Sequence, residues 1–163
     1  MEKPFDELDG VISSTSGYTG GHTDNPTYKQ TSSGTTGHYE AVQIEYDASK
    51  VSYQQLLDVY WKNIDPLDAR GQFCDKGPQY RAAIFTMDDK EKELALKSKA
   101  RLQDKLKNKA KLVTEILPAK KFYAAEEYHQ DYYIKNPVRY KYYRYGCGRD
   151  KRLEQVEELV NSN

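Results

Sequence analysis

Cysteine is scarce: Cys74 and Cys147 are the two in 163 residues. That is too few for a disulfide-dense secreted scaffold. Long apolar runs are missing as well, and none approaches the roughly 20 residues of a membrane span. No basic, apolar and small-residue leader pattern opens the chain. These absences predict a soluble, cytoplasmic protein with no membrane partner. Charge of one sign is also lacking, because 25 Lys and Arg balance 25 Asp and Glu. No whole-chain pull toward nucleic acid is expected from such a balance. His22, His38 and His129 share no metal-ligand spacing with the cysteines, so no metal site is expected. No phosphate-cradling glycine motif precedes a helix, and no nucleophile elbow is present.

What is present in excess is tyrosine, fifteen in all. Tyrosine builds half-buried walls that keep a hydrogen-bonding tip. The length suits one domain, residues 1–163, with a core of useful size. Met1, Phe5 and Leu8 fall on one helical face, and Gly10 follows where a helix end favours positive φ. VISSTSGY (11–18), EAVQIEY (40–46), RAAIFTM (81–87) and VTEIL (113–117) read as strands. Helices are expected after the capping box Ser52 and Gln55, over Asp88 to Lys109, over AAEEYHQDYYIK (124–135), and at the C-terminus around Leu153, Val156 and Leu159. Two long polar loops, 19–38 and 63–79, interrupt this alternation. The pattern predicts a two-layer α+β domain.

Glu40 shares a strand face with Val42, Ile44 and Tyr46. A carboxylate on an apolar face loses water, its pKa rises, and the protonated form becomes a general acid. The plainer reading is a solvated residue at a frayed strand start. Tyr28 in NPTY and Tyr80 in GPQY sit where proline and glycine fix the backbone, and a phenol there can hydrogen-bond a dipolar oxygen; in a chain with this many tyrosines the plainer reading is packing. Asp75 in FCDKG suits a turn. Cys74 reads as a small apolar filler. Cys147 lies between glycines with Arg144, Arg149 and Arg152 close in sequence, which favours a thiolate; the plainer reading is an incidental thiol near the C-terminus. The basic, tyrosine-rich stretch 135–152 suits either a solvated folded tail or, with less support, single-stranded RNA.

The stretches GYTGG, NPTY, SGTTGHYEAV, VSYQQLL, NIDP, GQFCDKGPQYR, AEEYHQDYY and CGRD together resemble the A-type peptide methionine sulfoxide reductases. The resemblance runs from Met1 to about Arg152. It implies a ferredoxin-like core of mixed sheet with flanking helices, and reduction of the S epimer of methionine sulfoxide, free or in proteins. By matched position, Glu40 would protonate the sulfoxide oxygen, Tyr28 and Tyr80 would hydrogen-bond it, and Asp75 would orient the pocket. Cys147 matches a region where many members carry the recycling cysteine, whose disulfide thioredoxin or another dithiol reduces. No prosthetic cofactor is implied.

One departure stands out. The family's nucleophile sits in a Gly-Cys-Phe-Trp motif that belongs immediately before Met1. The first strand, the nucleophile and the aromatic wall are therefore expected to be missing from these 163 residues. An internal methionine mistaken for the start, a selenocysteine codon read as a stop, a natural truncation and a nucleophile-free protein would each produce this sequence. The expectation is a chain without turnover and with reduced stability. The competing expectations are a binding module for methionine sulfoxide or for RNA, and an unrelated hydrolase pairing Glu40 with Asp75.

Overall fold

The structure, a computed structural model, describes residues 1–162. Helix α1 (Glu2–Asp6) buries Phe5, and the chain turns through Gly10 at φ 95°. A Cβ there would meet Lys50 and Val51 at about 2.9 Å, so the turn requires glycine. Strands β1 (Val11–Thr19) and β2 (Tyr39–Tyr46) pair antiparallel, from Val11 opposite Tyr46 to Thr19 opposite Tyr39. The far edge of β1 takes the two-residue strand β7 (Tyr123–Ala124), at Gly17 and Tyr18. A Cβ on Gly17 would stand 2.3 Å from the Phe122 ring and 2.4 Å from the Tyr123 carbonyl oxygen. Glycine is what lets β7 come this close.

Between β1 and β2 lies the short helix α2 (Tyr28–Ser32). Helix α3 (Tyr53–Lys62) starts from the expected capping box of Ser52 and Gln55. A small hairpin, β3 (Gly71–Gln72) with β4 (Asp75–Lys76), and a 3-10 turn at Pro78–Tyr80 occupy the second long loop. Strand β5 (Ala83–Thr86) pairs parallel with β6 (Glu115–Pro118), and α4 (Asp89–Leu106) crosses between them. Asp88 caps α4, and Lys107 ends it at φ 46°. The main core joins Leu57, Trp61 and Ile64 to Ala82, Ile84 and Ala95. Within it, the Trp61 indole N–H donates to Ser98 Oγ at 2.9 Å. Phe5, Val51 and Leu56 form a second cluster.

The α+β class holds, but the strands do not form one mixed sheet. Among the described residues they fall into three: β2-β1-β7, β3-β4 and β5-β6. A cavity of about 890 Å³ separates β2 from β5. The single helix expected over 124–135 is also absent. That stretch holds a 3-10 turn at Glu127–His129 and one turn of helix, α5 (Tyr132–Lys135), broken at Asp131 with φ 54°. The cause is Gln130. Its amide accepts from the Ser16 backbone N–H and donates to the Ser16 and Ala125 carbonyls, each at 2.9 Å. Those bonds extend the β1 edge and cannot coexist with a continuous helix. The basic tyrosine stretch is helical, as α6 (Pro137–Gly146), and α7 (Arg149–Asn161) follows. No helix among the described residues is long and apolar enough to cross a membrane.

Candidate active site

Two polar loops bring the predicted residues together, and each is fixed by its own hydrogen bonds. In the first loop, His38 is buried. The Gly21 N–H donates to its Nδ1 at 3.1 Å, and its Nε2 donates to the Thr23 carbonyl at 2.7 Å. The ring is thereby a neutral tautomer that ties the loop to itself. Thr27 and Gln30 form a second capping box, which starts α2 with Tyr28 as its first residue. In the second loop, the buried Gln79 donates to the Ser32 carbonyl at 2.9 Å and holds the Tyr80 turn against α2.

Tyr28, Glu40, Asp75 and Tyr80 all line the same cavity, together with His129 and Arg149. Glu40 is exposed by surface area and lines this cavity, where surrounding protein removes part of its hydration. Loss of water lifts its pKa from 4.5 to about 7, and the negative charges of Asp75 and Glu126 add to the rise. Desolvation and the Glu40 charge likewise push the Tyr80 phenol up to about 12 and raise that of Tyr28. Both phenols therefore keep their protons at neutral pH. The cluster is a carboxyl poised near neutrality beside two O–H donors. Such a set can hold a strongly dipolar oxygen and pass it a proton.

Asp75 was expected in a turn; it opens strand β4 directly after the Phe73–Cys74 turn, paired with Gln72. It also accepts the Tyr143 hydroxyl at 2.6 Å, a contact the sequence did not reveal. Glu126 was missed too. Its Oε1 accepts the Tyr28 backbone N–H at 2.8 Å, and its Oε2 accepts the Tyr18 hydroxyl at 2.9 Å. His129 stacks on Tyr28 with ring centroids 4.4 Å apart. Tyr143, Glu126 and His129 reach the site across 68 to 101 residues of chain, and no local pattern announces such contacts.

The cysteines correct two expectations. Cys74 is not an apolar filler: it is exposed and disulfide-bonded to Cys147, with Cα atoms 5.2 Å apart across 73 residues of sequence. The exposed turn beside Asp75 leaves nothing apolar for a filler to fill. Cys147 is consequently no thiolate in this state. Two of the arginines meant to stabilise one are engaged with carboxylates, Arg144 with Asp150 and Arg152 with Asp65. Arg149 lies over the Phe73 ring and donates to the Asn63 carbonyl at 2.7 Å. No free thiol stands at the carboxyl and phenol cluster. Among the described residues no group of side chains suits a metal ion.

A family model described as peptide methionine sulfoxide reductase matches residues 1–160. The chain belongs to the peptide methionine sulfoxide reductase family. The reductase MsrA of Bacillus licheniformis is 53% identical over 155 residues, covering 95% of this chain and 86% of that protein. MsrA of Bacillus subtilis is 55% identical over 149 residues, covering 91% and 84%. Among solved structures, reduced Mxr1 of Saccharomyces cerevisiae matches with a TM-score of 0.74 at 38% identity, over 82% of this chain and 76% of that one. Methionine sulfoxide reductase A of Corynebacterium diphtheriae matches with 0.73 at 35% identity, over 84% and 69%.

Proposed function

We propose that residues 1–163 form the sulfoxide-binding and proton-delivering body of a peptide-methionine (S)-S-oxide reductase, and that its nucleophile is supplied from outside them. The observation that carries this reading is the cluster itself: Glu40 near neutrality, Tyr28 and Tyr80 protonated, and no thiol beside them.

A sulfoxide sulfur is a poor electrophile while its oxygen holds negative charge. Tyr28 and Tyr80 donate hydrogen bonds to that oxygen, and Glu40 gives it a proton. Asp75, held by Tyr143, orients the second loop beside them. A thiol or selenol then attacks sulfur and takes the oxygen, leaving a thioether and a sulfenic or selenenic acid. A second thiol condenses with that acid, releasing water and forming a disulfide or selenenyl sulfide. Cys147 is the recycling candidate once its bond to Cys74 has been reduced by the external dithiol. With no nucleophile at the cluster, the 163-residue chain itself has no turnover.

The test has two arms. The purified chain is titrated with a peptide containing S or R methionine sulfoxide, then incubated with excess dithiol while methionine is measured. Saturable binding that prefers the S epimer, with no methionine formed, is the expected result. Methionine formation by these residues alone would sink the claim of an outside nucleophile. The DNA upstream of the Met1 codon is then read in frame. A glycine codon, then a cysteine codon or TGA, then Phe-Trp would identify the nucleophile. Because both cysteines are locked in a disulfide, a second reading has support: a nucleophile-free binder of methionine sulfoxide. An upstream frame without that motif favours it.

A further inference from the structure

Three aromatic rings run from the cavity to the outer surface. Tyr28 and His129 line the cavity, and their ring centroids are 4.4 Å apart. On the His129 ring lies that of Tyr128, with centroids 4.3 Å apart. Tyr128 does not line the cavity and is 59% exposed. The local backbone fixes this order. The 3-10 turn at Glu127–His129 sets the two consecutive rings against each other. Glu126, just before it, ties the turn to α2 through the Tyr28 N–H and to β1 through the Tyr18 hydroxyl. The rings therefore form a held ledge that starts at the Tyr28 phenol and ends in solvent.

This ledge differs from other aromatic faces of the molecule, which the chain covers with its own cations. Arg81 lies over Tyr39 at 5.3 Å, Lys121 over Tyr123 at 4.8 Å and Arg149 over Phe73 at 4.6 Å. Among the described residues no cation lies over Tyr28 or Tyr128. The charges around the ledge are negative. The carboxyls that act on Tyr28 are those of Glu40, Asp75 and Glu126. Asp75 accepts the Tyr143 hydroxyl, and Glu126 has His129 at 3.8 Å; among the described residues neither pairs with a lysine or arginine. Glu127 is the exception, paired with Lys135 at 2.7 Å. An open ring face carries the negative part of its quadrupole, so ring and carboxylates both favour a cation.

We propose that Tyr128, with the His129 ring behind it, is the subsite for a lysine or arginine side chain of the substrate, one or two residues from the methionine sulfoxide. The ring-to-ring steps of 4.4 and 4.3 Å are each little more than one residue of extended peptide, roughly 3.3–3.6 Å. With the sulfoxide oxygen at Tyr28, a neighbouring side chain reaches the Tyr128 face. Its charged head takes that face and its methylene stem lies along the ledge. A glutamate or aspartate in the same place meets the charges of Glu126 and Asp75 and is rejected. The substrates preferred are thus peptide segments in which the oxidised methionine stands among basic residues. This rests on the cavity being the sulfoxide site and adds the flanking sequence to it.

The probes are capped peptides Gly-Xaa-Met-Xaa-Gly, with the methionine as its S sulfoxide and Xaa lysine, alanine, phenylalanine or glutamate. Each is titrated calorimetrically into the whole chain, into Tyr128→Leu and into Tyr128→Phe. The lysine peptide should bind roughly fivefold tighter than the alanine peptide, the scale of a solvent-exposed cation–π contact, and the glutamate peptide should bind weakest. Tyr128→Leu, which keeps bulk but loses the ring, should bring the lysine and alanine peptides within about twofold of each other. Tyr128→Phe, which keeps the ring face, should preserve the preference. Equal affinity for the lysine and alanine peptides would overturn the proposal. So would a phenylalanine peptide that binds as tightly as the lysine one, or a lysine preference that survives in Tyr128→Leu. If the alanine peptide does not bind at all, the sulfoxide site fails and the subsite with it. If it binds and the flanks make no difference, the subsite alone fails.

Discussion

The block of α3, α4, β5 and β6 and the C-terminal run α5 to α7 are held by different forces. The first is held by apolar burial, with Leu57, Trp61, Ile64, Ile84 and Ala95 in one cluster and Leu106 fully enclosed. The second buries almost nothing: α5 and α6 contribute no buried residue and α7 contributes Val156 alone. It is fastened at points instead, by the Cys74–Cys147 disulfide, the Tyr143 bond to Asp75, Arg149 on the Asn63 carbonyl, and Arg152 on Asp65. The difference teaches a division of labour. The side that presents Ala82 to Phe85 to the cavity is fixed by a core. The side that carries Cys147 is attached by bonds that reduction and exchange can open, which suits the recycling role proposed for that cysteine.

The sharpest way to break this contrast is to cut the core. Leu57→Ala should cost about 2–5 kcal/mol in denaturant unfolding, whereas Tyr142→Ser on the exposed face of α6 should stay within about 0.5 kcal/mol. Similar costs at the two sites would refute the division. Next is the disulfide. Cys74→Ser should lower stability by roughly 2–4 kcal/mol on the loop-entropy account. Its hydrogen exchange should quicken over 137–161 and stay slow in α3 and α4. Faster exchange throughout would mean that the tail is part of the core.

A third prediction concerns pH. The Glu40 pKa in the fold, about 7, lies above its ordinary 4.5. A carboxyl with a raised folded pKa lends stability that is complete below pH 4.5 and is lost as pH rises through 7. Sulfoxide affinity should fall over the upper part of the same window, since the charged carboxylate repels the sulfoxide oxygen. Glu40→Gln, neutral at every pH, should flatten the melting temperature between pH 4.5 and 7 and melt above the native chain beyond pH 7. Parallel pH curves for the two proteins would contradict this. The smallest effect is expected at Tyr143→Phe, about 1 kcal/mol from one lost hydrogen bond. Exchange should quicken at the Asp75 turn and not at Tyr28; a change reaching both loops would show the site to be one rigid unit.

Much of this was legible in the sequence because it is local. Alternation located β2, the apolar run RAAIFTM located β5, the Ser52 and Gln55 pair located the start of α3, and the residues singled out by the motif match, Tyr28, Glu40, Asp75 and Tyr80, line one cavity. What was not legible depends on distant partners. AAEEYHQDYYIK has a helical pattern, yet Gln130 and Glu126 use their side chains on β1 and α2, and those bonds outweigh local propensity. β7 is two residues long and exists because Gly17 lets it approach. The pairing of Cys74 with Cys147 spans 73 residues and leaves no trace in either local motif.

The central claim is that Glu40 is a proton donor at neutral pH. It is tested most directly by following the Glu40 side-chain carboxyl carbon by NMR in 13C-labelled protein across pH 3 to 9, with Glu40→Gln to assign the signal. The account predicts a midpoint near 7. A midpoint near 4.5 would show an ordinary, solvated carboxylate and would remove the acid on which the proposed chemistry depends.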